Sequence, residues 1–93
     1  MPDMVDLAER LDLTAATPLS EDLKSHIDNS IVINAADVMY LGTPCLQVLT
    51  AARHEWAKAG KSISYEDPSP EFSEHLELLG VTVADLECGE PAK

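Results

Sequence analysis

The stretch that decides the fold is TPCLQVLTAARHEWAKAG, residues 43–60. Thr43 followed by Pro44 predicts the start of a helix, with the threonine hydroxyl as cap and proline as the first residue. Gly60 predicts a left-handed stop at the other end. Apolar residues recur between them at helical spacing and are expected to face a core: Cys45, Val48, Leu49, Ala52, Trp56 and Ala59. The opposite face is polar, and it carries Gln47, Thr50, Arg53, His54 and Lys58.

Strands and further helices are predicted on both sides of this helix. Ile31-Val32-Ile33 has the β-branched composition of a strand buried on both faces, and Val38–Leu41 is a second apolar run. Residues 61–66 alternate like a half-buried strand, and Met4–Leu11 alternates loosely like an edge strand. Two further helices are predicted. One runs from Ala15 to Ile27 and is capped by Thr14, and the other runs from Pro70 to Leu79, with Phe72, Leu76 and Leu79 inward and Gly80 as terminator. A short strand at Val81–Val83 and a helical turn near Ala84–Glu87 complete the prediction.

Strand and helix therefore alternate along the chain, which predicts an α/β fold. We expect a mixed, mainly parallel sheet of about four strands with helices packed against it. The 93 residues allow one domain, residues 1–93, with an ordered core at about 4–87 and a frayed tail at 88–93.

Charge and composition exclude several functions. Six Lys and Arg against 17 Asp and Glu give a formal net charge of −11. Nucleic acid and anionic membranes are excluded as direct partners, because phosphate contacts need clustered basic residues. Proteins with basic surfaces are favoured instead. Two cysteines make no disulfide framework and no targeting segment is evident, so we expect a cytoplasmic protein. We also expect a monomer or weak dimer.

Few residues point to chemistry. The three histidines have no metal-binding spacing, so no metal or cofactor is expected, and no phosphate loop or serine nucleophile motif is present. Asp12 follows a strand and precedes the first helix, where a carboxylate could act as an acid, but a capping or turn role is favoured. Cys45 lies in a first helical turn, where the dipole activates thiols, but its apolar position favours an inert, packed thiol. Glu71, Glu74 and Glu77 predict either a solvated face or a surface that docks a basic partner.

One family combines these features in the same order. Leu11-Asp12 precedes the first helix, Ile31–Asn34 would be a central strand, and Asp37–Leu46 (DVMYLGTPCL) aligns without gaps to a motif of the form D-[LV]-x-[FY]-[ML]-D-S-S-G-L. Gly60 and the segment from Pro68 to Val81 continue the likeness. On these residues the chain resembles the STAS domain family, named for sulphate transporters and anti-sigma factor antagonists.

The resemblance implies a non-catalytic interaction module. Among the bacterial members, the anti-sigma factor antagonists bind a switch kinase, which phosphorylates the second serine of the motif and so ends binding. Here that position is Pro44, which has no hydroxyl, the acidic residue is Gly42 and the first serine is Thr43. The resemblance therefore favours constitutive binding of a chemotaxis-type histidine kinase. The expected partner-binding residues are Gly42, Thr43, Pro44, Cys45, Gln47, Thr50, Arg53 and His54.

Three alternatives stay open. The first is an anti-sigma factor antagonist that binds an anti-sigma switch kinase and is phosphorylated at Thr43. The second is the cytosolic STAS subunit of a lipid-transport ABC system, docked on the ATPase. The third is a small thiol enzyme that uses Cys45.

Overall fold

A computed structural model describes residues 3–89. Strands and helices alternate along the chain, as the sequence predicts. The elements are β1 (Asp3–Asp6), β2 (Arg10–Leu11), α1 (Leu13–Lys24), β3 (Ile31–Asn34), β4 (Tyr40–Leu41), α2 (Thr43–Lys58), β5 (Ile63–Glu66), α3 (Pro70–Leu78) and α4 (Val83–Leu86).

The predicted α/β fold with a parallel sheet is confirmed. Strands β1, β3 and β5 form a parallel sheet in the order β1-β3-β5, and β2 pairs with β4 in a separate parallel ladder. The structure thus has three strands plus two, where one sheet of about four was expected. The predicted strand Met4–Leu11 is in fact two strands. Its first half pairs with β3 as far as Leu7, and its second half leaves the sheet to pair with β4.

The core lies on one face of the three-stranded sheet. Val5, Ile31, Ile33 and Ile63 alternate onto that face and are buried, as expected for a pleated strand. On the other face Met4 is 52% exposed and Val32 is half-buried, so the prediction that Ile31–Ile33 is buried on both faces is wrong.

Helices α1 and α2 pack against each other, α3 packs on β4, and α4 packs on α2 and β5. Trp56 and Phe72, the predicted core anchors, are both fully buried. The indole N–H of Trp56 donates to the carbonyl oxygen of Asn29 at 2.8 Å, which joins α2 to the loop before β3. Both anchors hold α2 and α3 in fixed positions relative to the sheet.

The start and end of α1 differ from the prediction. Asp12, and not Thr14, is the N-cap: its carboxylate accepts from the Thr14 backbone N–H at 3.0 Å. The capping role expected for Asp12 is therefore confirmed. The helix stops at Lys24 and turns follow, so Ile27 lies outside it.

The last third of the chain holds the other corrections. Leu79 follows the last residue of α3 and is 40% exposed, so it does not face the core, whereas Gly80 ends the helix at φ +78° as predicted. Residues 81–83 are not a strand, because Thr82 caps α4 in a reciprocal capping box with Asp85.

The C-terminal segment returns to the sheet. Cys88 pairs with Ile63 through two backbone hydrogen bonds at the edge of β5. Residues 90–93, the rest of the predicted frayed tail, lie outside the described residues. Within residues 3–89, no helix has the length and apolar character needed to cross a membrane.

Candidate functional site

The candidate site begins where β4 leads into α2. Gly42 is the N-cap of α2, and its N–H donates to the Leu11 carbonyl oxygen at 2.9 Å, next to the ladder of β2 and β4. A Cβ at this position would lie 3.3 Å from the Tyr40 hydroxyl and 3.4 Å from the Leu11 carbonyl oxygen. Glycine thus fits where the related motif has an acidic residue, because little space is left for a side chain.

Thr43 is not the cap that the sequence predicts. It is the first residue of α2, and no side chain caps this helix, because the cap position is held by a glycine. The Thr43 side chain is exposed. Its hydroxyl is therefore not engaged in capping and stands at the positive end of the helix dipole. Pro44 follows in the first turn, half-buried, where a missing N–H costs nothing.

Cys45 is inaccessible and chemically quiet. Its side chain has no solvent exposure, and the thiol donates to the Asp12 carbonyl oxygen at 3.3 Å. Burial raises the pKa of the Cys45 thiol, and the nearby Asp12 carboxylate raises it further. A thiol nucleophile needs its thiolate form, and both effects oppose that form. Because the thiol is buried and both effects oppose the thiolate, the structure gives no support to a thiol enzyme that uses Cys45.

Four of the predicted contact residues form a continuous exposed row. Thr43, Gln47, Thr50 and His54 follow one another at i, i+4, i+7 and i+11, so they lie above one another on α2. All four are exposed. We call these four residues the outer row. A side of α2 that carries no buried residue over three turns is available to another molecule along its length.

The remaining predicted residues lie around the outer row or beneath it. Arg53 is exposed beside the row, and its Nε donates to the Glu87 carbonyl oxygen at 3.1 Å. Arg53 therefore also holds the C-terminal segment against α2. Gly42 and Cys45 are buried, so they support the site from below and offer no side chain to a partner.

A groove runs along the other side of the outer row, between α1 and α2. Its volume is about 680 Å³, and it is lined mainly by apolar and small side chains. We call it the α1–α2 groove; from α2 it is lined by Pro44, Gln47, Val48, Ala51, Ala52, Glu55 and Trp56, and from α1 and the following turn by Ala16, Ser20, Leu23, Lys24 and Ile27.

The α1 side of this groove is absent from the predicted site. Ala16 and Ile27 both belong to the predicted first helix, and both are half-buried and line the groove. The signal in the sequence is the small size of the facing residues. Ala16, Ser20 and Ala51 leave a depression where larger side chains would close the contact between the helices.

Two histidines have structural partners. His26 Nδ1 lies 2.8 Å from Asp3 Oδ2, and Asn29 donates to the same oxygen at 3.0 Å. The hydrogen bonds from His26 and Asn29 hold the pKa of the Asp3 carboxyl below its usual range. The Leu41 backbone N–H donates to His75 Nδ1 at 3.0 Å. Across residues 3–89, no three His, Cys, Asp or Glu residues are grouped as a metal would require.

Comparison with known proteins agrees with the fold. The family model described as "Mlab, STAS domain" matches residues 2–86, nearly the whole chain. A comparison with curated proteins gives no match. Members of the matched family are generally non-catalytic modules that bind partner proteins, which agrees with the exposed face of α2 and the groove beside it. The parallel sheet, the helix that follows β4 and the match over residues 2–86 lead to one conclusion: this chain belongs to the STAS domain family.

Proposed function

We propose that this STAS domain binds a regulatory protein kinase, with a chemotaxis-type histidine kinase favoured, through the outer row and the α1–α2 groove. The observation that carries the proposal is the side-by-side arrangement of these two features on α2. The outer row supplies polar contacts, and the groove beside it offers apolar surface, which together resemble the polar rim and apolar core of protein interfaces.

The buried layer beneath α2 also favours binding without rearrangement. Leu49 and Trp56 are fully buried on the opposite side of the helix, so α2 is held rigidly against the sheet. A preformed, rigid surface loses little conformational entropy when a partner binds. Constitutive docking on a kinase is compatible with such a surface.

The distribution of charge determines which groups of a partner would face α2. The chain carries a net charge of −11, yet the second half of α2 presents Arg53, His54 and Lys58 on its exposed side. A partner with a basic surface is attracted to the acidic molecule as a whole, and an acidic group on that partner can pair with this end of α2. We therefore expect binding that weakens as salt concentration rises.

A second candidate follows from Thr43. Because its hydroxyl is exposed and does not cap α2, it is accessible to a kinase. Phosphate there would add negative charge at the start of the docking helix, at the end of both the outer row and the groove. This arrangement favours the anti-sigma factor antagonist, regulated at Thr43, as the alternative. A third partner, the ATPase of a lipid-transport ABC system, is distinguished from both kinases by the crosslinking experiment described next.

Site-specific photo-crosslinking in cells tests the proposal. A photo-reactive amino acid replaces Gln47 or His54, and in the control it replaces Glu66, which is exposed on β5. Crosslinking of a histidine kinase from positions 47 and 54, and not from position 66, would support the proposal. Capture of an ABC ATPase, or equal capture from all three positions, would contradict it.

Incubation with ATP and the captured kinase then separates the two signalling functions. Intact mass is measured for the wild type and for Thr43→Val, which keeps the shape of the side chain and lacks the hydroxyl. An added phosphate in the wild type alone would establish the switch at Thr43. An unmodified protein that remains bound would favour constitutive docking.

A further inference from the structure

A second apolar surface lies on the other side of Thr43 from the groove. A depression of about 280 Å³ is lined by Tyr40, Thr43, His75, Leu78 and Leu79, together with the β4 backbone. Leu78 is 79% exposed, Tyr40 43% and Leu79 40%, so this region carries three of the large hydrophobic side chains that the described residues expose. We call it the β4–α3 patch.

The β4–α3 patch has a rigid base. The Leu41 N–H donates to His75 Nδ1 at 3.0 Å, which ties α3 to β4. Tyr40 packs edge-on against the same imidazole, with ring centroids 5.5 Å apart. The ring contact holds Tyr40 beside His75, while Tyr40 stays 43% exposed.

Acidic residues continue the patch along α3. Glu71 and Glu74 lie one turn before His75 and Leu78 on the same stripe of the helix, and Glu77 is next to Leu78. Within the part of the chain described, no salt bridge involves these three glutamates. On the β2 side of the patch, the guanidinium carbon of Arg10 lies 5.7 Å from the Tyr40 ring centre. The α3 side of the patch is therefore strongly negative.

We propose that the β4–α3 patch docks a protein segment in which leucine-like side chains are flanked by lysine or arginine. Apolar side chains would fill the depression, and the basic residues would pair with Glu71, Glu74 and Glu77. A depression of 280 Å³ lies below the ~300–1,000 Å³ typical of small-molecule sites, which favours side chains of a protein. A second copy of this chain is disfavoured, because a symmetric contact through the patch would bring the acidic α3 helices together.

This surface is distinct from the α1–α2 groove, but both meet at the start of α2. Thr43 lines the β4–α3 patch and Pro44 lines the groove. A partner that covered both surfaces would bury Thr43 between them. The patch is inferred from its own residues, and it does not depend on which protein binds the groove.

A pair of synthetic helical peptides tests this docking chemistry. One carries leucines on one face and lysines on the other, and its control has serine in place of each leucine at the same charge. Binding is measured by titration with backbone amide NMR. We expect the leucine peptide to shift the signals of residues 40, 43, 75, 78 and 79, and to bind at least tenfold more tightly than the serine peptide.

Variants locate the contact. Leu78→Ser is expected to weaken the leucine peptide at least tenfold, whereas Met4→Ser, an exposed apolar residue on β1, is expected to leave binding unchanged. Leu78 is 79% exposed, so its replacement should not unfold the domain. Equal affinity for both peptides, or shifts confined to the α1–α2 groove, would overturn the proposal. So would a dimer in solution that Leu78→Ser converts to monomers.

The two proposals fail separately. The peptide titration uses no kinase and reports on the β4–α3 patch, whereas photo-crosslinking reports on the native partner at Gln47 and His54. A negative peptide result would leave the α2 interface in place, and a failed crosslink would leave the patch in place.

Discussion

Shortening Leu49 to alanine tests the packing that holds the docking helix in place. Leu49 has no solvent exposure and lies on the buried side of α2, directly opposite the outer row. The change removes three buried carbons, each worth ~0.8 kcal/mol of transfer free energy. The cavity left behind adds to this, so we expect a loss of ~2–5 kcal/mol in the free energy of unfolding.

The loss should be visible in urea-induced unfolding followed by circular dichroism. A domain of this length has a total stability of ~5–14 kcal/mol, so the variant would lose a large part of it. The unfolding midpoint should fall by about 1 M urea or more. Gln47→Ala, two residues earlier on the exposed side of α2, is the matched control and should stay within ~0.5 kcal/mol. A loss below ~1 kcal/mol for Leu49→Ala would refute the packing described for α2.

Three further predictions concern other contacts. Asp12→Ala removes the N-cap of α1 and should lower the urea midpoint of unfolding, and an unchanged midpoint would show that the cap is dispensable. Asp3→Asn should make the free energy of unfolding fall less steeply with acidification than it does in the wild type. Hydrogen bonds from His26 and Asn29 lower the pKa of Asp3, so the stabilisation from its carboxylate is present above the usual pKa of 3.8 and is lost as pH falls below it. An equal loss of stability for wild type and variant on acidification would argue against this role. Glu87→Ala leaves the Tyr65 N–H without its acceptor at 2.8 Å and should cost ~1–3 kcal/mol, together with faster amide exchange at position 65; unchanged exchange there would count against the contact.

The elements with strong local signals were predictable from the sequence. Trp56 and Phe72 were assigned to the core because they recur at helical spacing with other apolar residues, and both are fully buried. Gly60 and Gly80 were assigned to helix ends because only glycine adopts positive φ readily, and both have positive φ. These signals act within one turn of helix, so neighbouring residues suffice to predict them.

The errors arise where tertiary contacts decide. Thr43 was expected to cap α2, but the backbone of Gly42 is held by Leu11, which moves the helix start by one residue. Met4–Leu11 was expected to be one strand, but the chain changes partners between β3 and β4. Both outcomes depend on residues about thirty positions away in the chain, and local pattern does not report on them.

Only part of the candidate site was predictable, because some of its residues share one helix and others come from elements far apart in the chain. Helical spacing gave three residues of the outer row, Gln47, Thr50 and His54, because they follow from the period of one helix, whereas Thr43 entered the predicted site through the family resemblance. The α1–α2 groove requires knowing which residues of α1 face Ala51, and the β4–α3 patch requires knowing that His75 lies beside Leu41. Only the packed structure brings those residues together.

The affinity of an outer-row variant for the crosslinked kinase tests the central claim most directly. The variant Gln47→Glu/His54→Glu changes two exposed side chains of the row, and Thr17→Glu/Ala36→Glu adds acidic residues at two exposed positions elsewhere as the matched control. We predict at least a tenfold weaker Kd by calorimetry for the outer-row variant, about 1.4 kcal/mol, with the free energy of unfolding unchanged. Equal affinity for the wild type and the outer-row variant would contradict docking through α2.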